Sequence, residues 1–230
     1  MARKGTYSLR KRERTGGVLL LVLYLLLPFL LPPALRLLSR LLAEELSCGT
    51  AETAVLYALA AVTVLLFLPL LASDVSLFFA DLGRSLKTVG TGLLLFYGAN
   101  GLARRLVGAF GLAFADGSDR LLLAIRTDGA LSPLLSVLLL PLTEALLLRV
   151  LPFRLLGSNN RAAAFVLSAL LGALSVTASS LGAALTPESL LLLVSYLLPG
   201  LVLGRCYMQS GSAVTVFLLH AALNALFLFV

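Results

Sequence analysis

Glu144, His220 and Asn224 are polar residues set inside long apolar runs, and together they have the functional groups for acid–base chemistry. Glu144 lies in Pro141-Leu142-Thr143-Glu144-Ala145-Leu146-Leu147-Leu148-Arg149-Val150-Leu151-Pro152, where a carboxylate is costly enough to call for a functional explanation. In a site of low dielectric a carboxylate becomes a better proton acceptor, which suits a general base. His220 is the single histidine of the chain, and Asn224 follows it by four residues, so the two stack on one face of a helix. A carboxylate base, an imidazole that donates or polarises, and an amide donor for an oxyanion make a coherent hydrolytic set when one cavity gathers them. The plainer reading is adhesion, because His and Asn hydrogen bonds also hold membrane helices together. Arg149 is five residues beyond Glu144, roughly 140° round a regular helix. It is therefore expected to reach the interface or another helix instead of pairing directly with Glu144.

Membrane helices have to position these groups. Hydrophobic residues make up 60% of the 230-residue chain and charged residues 13%, with a mean hydropathy of +1.03. A soluble domain lacks the interior to hide so much apolar sequence. The expected fold is all-α, a polytopic transmembrane bundle of about seven helices, each supplying the roughly 20 apolar residues that cross a bilayer. Residues 16–42, 53–72, 88–106, 131–151, 162–181, 188–207 and 211–230 read as the spans. Pro28, Pro32 and Pro33 are expected to bend or interrupt the first, and Asp74, Asp81, Arg84 and Lys87 to mark a short amphipathic stretch after the second. Gly90, Gly92, Gly98 and Gly101 suit close helix packing in the third. The organisation expected is a basic tail over residues 1–15, N-terminal helices and a loop over 16–130, and a helical core over 131–230.

The formal net charge of +7 is concentrated at the start, where Arg3, Lys4, Arg10, Lys11, Arg12 and Arg14 precede the first span. That placement predicts a cytoplasmic N-terminus facing anionic headgroups, an uncleaved signal anchor and no nucleic-acid partner. Arg149, Arg154 and Arg161 put the far end of the fourth span on the same side, while Arg104 and Arg105 run against the charge rule. Asp116-Gly117-Ser118-Asp119 reads as a surface turn. Cys48 and Cys206 fall on opposite sides of this topology, so no disulfide is expected. No ligand-spaced set of His, Cys and acidic residues is present, and no metal or cofactor is expected. The phosphate-loop, zincin and nucleophile-elbow motifs are absent. Without an internal repeat, a transporter has little support.

On Pro141, Glu144 and Arg149, and on His220 and Asn224 preceded by the run from Pro199 through Gly200, Gly204 and Gly211, the chain resembles the CAAX protease and bacteriocin-processing family of intramembrane endopeptidases, also called Abi or CPBP. The resemblance covers residues 131–230 and follows the family's E-E-x-x-x-R and H-x-x-x-N motifs in the same order. It implies peptide-bond hydrolysis by glutamate-activated water in a bacterial-type plasma membrane, on membrane-associated substrates that are prenylated or leader-bearing. Glu144 would be the base, His220 the oxyanion donor, Asn224 its assistant and Arg149 the motif arginine. Two positions depart from the pattern. Ala145 replaces the second glutamate, and Ser175 stands where the middle F-x-x-x-H motif has histidine, leaving it only a hydroxyl to hold water. The alternative these departures leave open is a catalytically impaired relative that binds a peptide or membrane protein as an immunity factor or scaffold. The partners expected are the lipid bilayer and a peptide or membrane-protein substrate; the sequence does not set the oligomeric state.

Overall fold

The computed structural model describes residues 8–42, 48–112, 135–157, 160–183 and 185–229, and among these every regular element is helical. The elements are α1 (Lys11–Leu42), α2 (Cys48–Leu66), α3 (Leu68–Ala80), α4 (Leu82–Gly108), α5 (residues 135–156), α6 (Arg161–Ala183), α7 (Pro187–Ser210) and α8 (Ala213–Phe229). The all-α bundle expected from composition is the fold observed. Glu44, Glu45, the 116–119 turn and the boundary at 130/131 lie outside the described residues.

Within the described residues, the expected spans show irregularities with local causes. Among the described residues, α1, α6 and α7 are each long and apolar enough to cross a membrane, and the α2–α3 pair makes a fourth if counted as one span. That pair bends by 72°. Pro69, in the first turn of α3, has no N–H to carry the α2 hydrogen-bond ladder onward, so the chain turns there. α8 has 17 residues and is shorter than a comfortable crossing. In α1, by contrast, the helix runs through Pro28, Pro32 and Pro33 without interruption.

α5 is the axis of the bundle. Leu146, Leu147, Leu148, Val150 and Leu151 are all fully buried, so this helix is covered on every side. The exposed leucines of α1, Leu19, Leu37 and Leu41 among them, face outward as a lipid-contacting surface would. The same residue type thus does two jobs, which explains why leucine-rich monotony hid the centre of the fold. α5 is also wound irregularly, with π-helical turns at Leu135–Leu139 and Ala145–Val150. Each is followed within two residues by a proline, Pro141 or Pro152, whose ring and missing N–H disfavour a regular turn just before it.

Glycines set the closest approaches. A Cβ at Gly200 would lie 3.0 Å from the Ala169 carbonyl oxygen, so α7 and α6 meet backbone to backbone there. Of the four α4 glycines expected to pack closely, only Gly92 makes a tight approach, against the Leu219 side chain of α8; Gly90, Gly98 and Gly101 have nothing within 4 Å. The expectation of a glycine-packed third span therefore holds at one position out of those four, because that face alone of α4 meets α8.

Candidate functional site

Glu144 sits where α5 passes from a short α-helical segment into its second π-helical turn. Its carboxylate is held between two helices distant in sequence. Tyr24 of α1 donates its hydroxyl to Oε1 at 2.6 Å, and Nδ1 of His220 on α8 lies 3.4 Å from Oε2. The side chains of Glu144 and His220 are 21% and 18% exposed. Neither is sealed inside the bundle, which leaves the pair room to meet a further group. Asn224 lies one turn beyond His220 on the same helix, as its spacing requires.

The meeting of Tyr24 with Glu144 follows from how α1 lies on α5. A Cβ at Gly17 would come within 2.8 Å of the Phe67 ring and 3.0 Å of Leu151, so α1 settles onto α5 at Gly17 with no side chain between. From that contact α1 runs seven residues on to Tyr24 and α5 seven residues back to Glu144, so antiparallel packing that seats Gly17 on Leu151 brings the two to the same level of the bundle, where they hydrogen-bond.

α8 is aimed from its N-terminal end. α7 begins with a capping box between Thr186 and Ser189 and ends at Gly211, whose φ of +69° allows the left-handed turn and whose N–H returns to the Tyr207 carbonyl at 2.7 Å. The first N–H of α8, Ala213, then donates to Asp74 Oδ2 at 2.6 Å. A carboxylate here satisfies an orphan donor and complements the positive end of the helix. Asp74 is fully buried on α3, and its other oxygen is 3.9 Å from Nη2 of Arg154, whose Nε donates to the Tyr207 hydroxyl at 3.0 Å. The expected amphipathic stretch after the second span is thus in part a buried support for the helix bearing His220.

Arg149 meets another helix and does not extend to the interface. It is 4% exposed, and Nη1 donates to the Ser168 carbonyl and, at 3.2 Å, to the Ser168 hydroxyl, both on α6. Its guanidinium occupies the space above Gly172, where an added Cβ would lie 2.9 Å from Nη1 and 3.0 Å from Cζ. Arg149 thus takes one of the two courses expected for it, contact with another helix. Ser175 directs its hydroxyl to the Gly172 carbonyl of its own helix at 2.9 Å, an ordinary intrahelical bond. Among the described residues no three His, Cys, Asp or Glu side chains converge on one point.

Sequence reasoning missed Tyr24, Asp74, Arg154 and Ser168. Tyr24 carried one readable signal, Gly17 two turns earlier on the same face, but nothing in the sequence identifies α5 as its partner.

Residues 127–226 match the family model described as type II CAAX prenyl endopeptidase Rce1-like. The matched segment takes in Glu144, Arg149, Ser175, His220 and Asn224 and agrees with the resemblance drawn from the motifs. The C-terminal part of the chain is thus similar to an Rce1-like protease domain, and the long apolar helices are those of an integral membrane protein. No curated protein and no solved structure shows significant similarity to the chain.

Proposed function

We propose that this chain is an intramembrane endopeptidase in which Glu144 activates water, acting on the peptide bond of a membrane-associated substrate such as a prenylated or leader-bearing peptide. The observation that carries the reading is the carboxylate of Glu144 held between the Tyr24 hydroxyl and His220 Nδ1 while still partly exposed. The family match supports the reaction class.

In this mechanism Glu144 takes a proton from water as the hydroxide attacks the carbonyl carbon. The oxyanion that forms is met by Nε2–H of His220, in the neutral tautomer whose Nδ1 faces the now protonated Glu144, and by Asn224 one turn along. The carbon–nitrogen bond then breaks as Glu144 returns its proton to the leaving amine. Tyr24 orients the carboxylate throughout. Arg149 does not touch the reacting atoms in this scheme; it braces the π-helical turn that presents Glu144. The Ser175 hydroxyl is committed to its own helix, so water positioning falls to Glu144 and its two partners.

The second reading, a non-catalytic peptide binder, draws on that same Ser175 bond together with Ala145. Purified protein in lipid, incubated with membrane-tethered peptides, separates the two. Cleavage by wild type that Glu144→Gln and His220→Ala abolish supports the protease. Cleavage surviving both changes refutes the site, and peptide retention without cleavage by all three proteins identifies the binder. The N-terminus is placed in the cytoplasm, in a bacterial-type plasma membrane, by the same reading; cysteine labelling of the 156–160 turn from the cytoplasmic face tests it.

A further inference from the structure

A cavity of about 330 Å³ opens at the end of the bundle where α1 begins and α7 ends. Arg14, Arg154 and Arg161 line it, with Leu9, Phe153 and Tyr207 forming apolar wall, and no acidic residue among the lining. The three guanidinium groups come from three helices: Arg14 from α1, Arg154 from α5 and Arg161 from the first turn of α6. Arg154 forms the floor, turned inward on the Tyr207 hydroxyl and facing Asp74 behind it. Arg14 and Arg161 are exposed at the mouth, Arg14 steadied by its Nε bond to the Leu9 carbonyl at 3.1 Å. Among the described residues that line the cavity, the charged side chains are these three cations, with Asp74 behind Arg154.

We propose that this cavity binds a phosphate-bearing anionic group, the headgroup of an anionic phospholipid or a free phosphate. The guanidinium fork matches phosphate oxygens two at a time, and basic recesses between membrane helices take anionic headgroups for that reason. The volume is at the lower end of the roughly 300–1,000 Å³ of small-ligand sites, enough for a headgroup and too little for a peptide. The pairing of arginines with Leu9 and Phe153 suits a ligand with a charged tip and a less polar stem. A phosphate held here ties the start of α1 to α5 and α6, and α1 is the helix that brings Tyr24 to Glu144. The proposal does not depend on the hydrolytic reading.

The test takes the full chain in an uncharged maltoside detergent and titrates it calorimetrically with short-chain phosphatidylglycerol, short-chain phosphatidylcholine and inorganic phosphate. Phosphatidylglycerol is expected to saturate one site per chain and to bind about tenfold or more tightly than phosphatidylcholine, a difference of about 1.4 kcal/mol. The paired change Arg14→Gln and Arg161→Gln, both at exposed positions and so compatible with folding, should weaken it by about tenfold or more. Arg36→Gln with Arg40→Gln, exposed on α1 outside the cavity, should leave it unchanged. Saturable binding of inorganic phosphate that the paired change removes also supports the site and identifies the soluble source. Equal affinity for phosphatidylcholine, or undiminished phosphatidylglycerol binding in the folded paired variant, overturns the proposal.

Discussion

The Tyr24 hydroxyl donates to Glu144 across 120 residues of sequence at 2.6 Å, so the first helix of the chain supplies part of the site that the last hundred residues carry. The N-terminal helix is therefore more than a membrane anchor or a filler of the bundle. Its contribution is one short hydrogen bond to the group proposed as the base.

Tyr24→Phe removes that bond and little else, since the ring remains. A hydrogen bond to a charged group contributes about 1.5–3 kcal/mol, so the expected loss is about ten- to a hundredfold in kcat, with KM nearly unchanged. Steady-state cleavage of a membrane-tethered peptide measures it. A parallel fall in kcat and rise in KM, with a lowered thermal midpoint, would assign Tyr24 a purely structural role.

Gly17→Val should reproduce much of that loss from two turns away. The added Cβ would lie 2.8 Å from the Phe67 ring, closer than real contacts come, and 3.0 Å from Leu151 of α5, so α1 is expected to shift from its seat and take Tyr24 with it. Combining Gly17→Val with Tyr24→Phe is expected to cost little more than Gly17→Val alone, because both act on one hydrogen bond. Independent, multiplying losses would show that the packing at Gly17 does not set the Tyr24 contact.

Gly172→Ala tests the seat of Arg149. A methyl group there collides with the guanidinium, and overpacking of this kind costs about 1–3 kcal/mol. A lowered thermal midpoint in detergent is expected, while Gly98→Ala, with nothing within 4 Å, leaves the midpoint unchanged or slightly higher. Equal midpoints for the two variants would mean that Arg149 moves aside without cost.

What the sequence disclosed and what it hid divide along physical lines. Glu144, His220 and Asn224 were legible because polarity inside an apolar run is conspicuous and a spacing of four fixes a shared face. Tyr24 was not, since an aromatic in a membrane helix reads as apolar packing until its neighbour is known. Asp74 was grouped with Asp81, Arg84 and Lys87 as a solvated face, and only the 72° bend at Pro69 carries it under the first turn of α8. That Arg149 would meet another helix was legible from its spacing, but which helix was not, since nothing in the sequence pairs it with Ser168. The helical class was readable from composition; the number of complete crossings depended on breaks at prolines whose effect is local.

Asp74→Ala should loosen the aim of α8. It removes the acceptor of the Ala213 N–H and leaves Arg154 without the carboxylate it faces, and loss of a helix N-cap alone costs about 0.5–2 kcal/mol. Asp74→Asn, which keeps an acceptor for the N–H, is expected to lose less stability than Asp74→Ala. Diethyl pyrocarbonate modification of His220 offers an independent readout, with faster labelling in Asp74→Ala than in wild type. Unchanged labelling and stability would detach Asp74 from the positioning of His220.

Ser175→His returns an imidazole to the position where the family motif has one. The Ser175 hydroxyl is spent on the Gly172 carbonyl, so the substitution sacrifices only an intrahelical bond. A positioned acid–base group contributes about 10²- to 10⁴-fold, and even partial alignment with Glu144 should raise cleavage by about tenfold or more. The rise should vanish in Ser175→His combined with Glu144→Gln, because the new imidazole has nothing to assist without the carboxylate. A folded Ser175→His variant that cleaves no faster than wild type would place water activation on Glu144 with Tyr24 and His220 alone, and would make the arrangement of this site different in kind from the two-histidine pattern its motifs resemble.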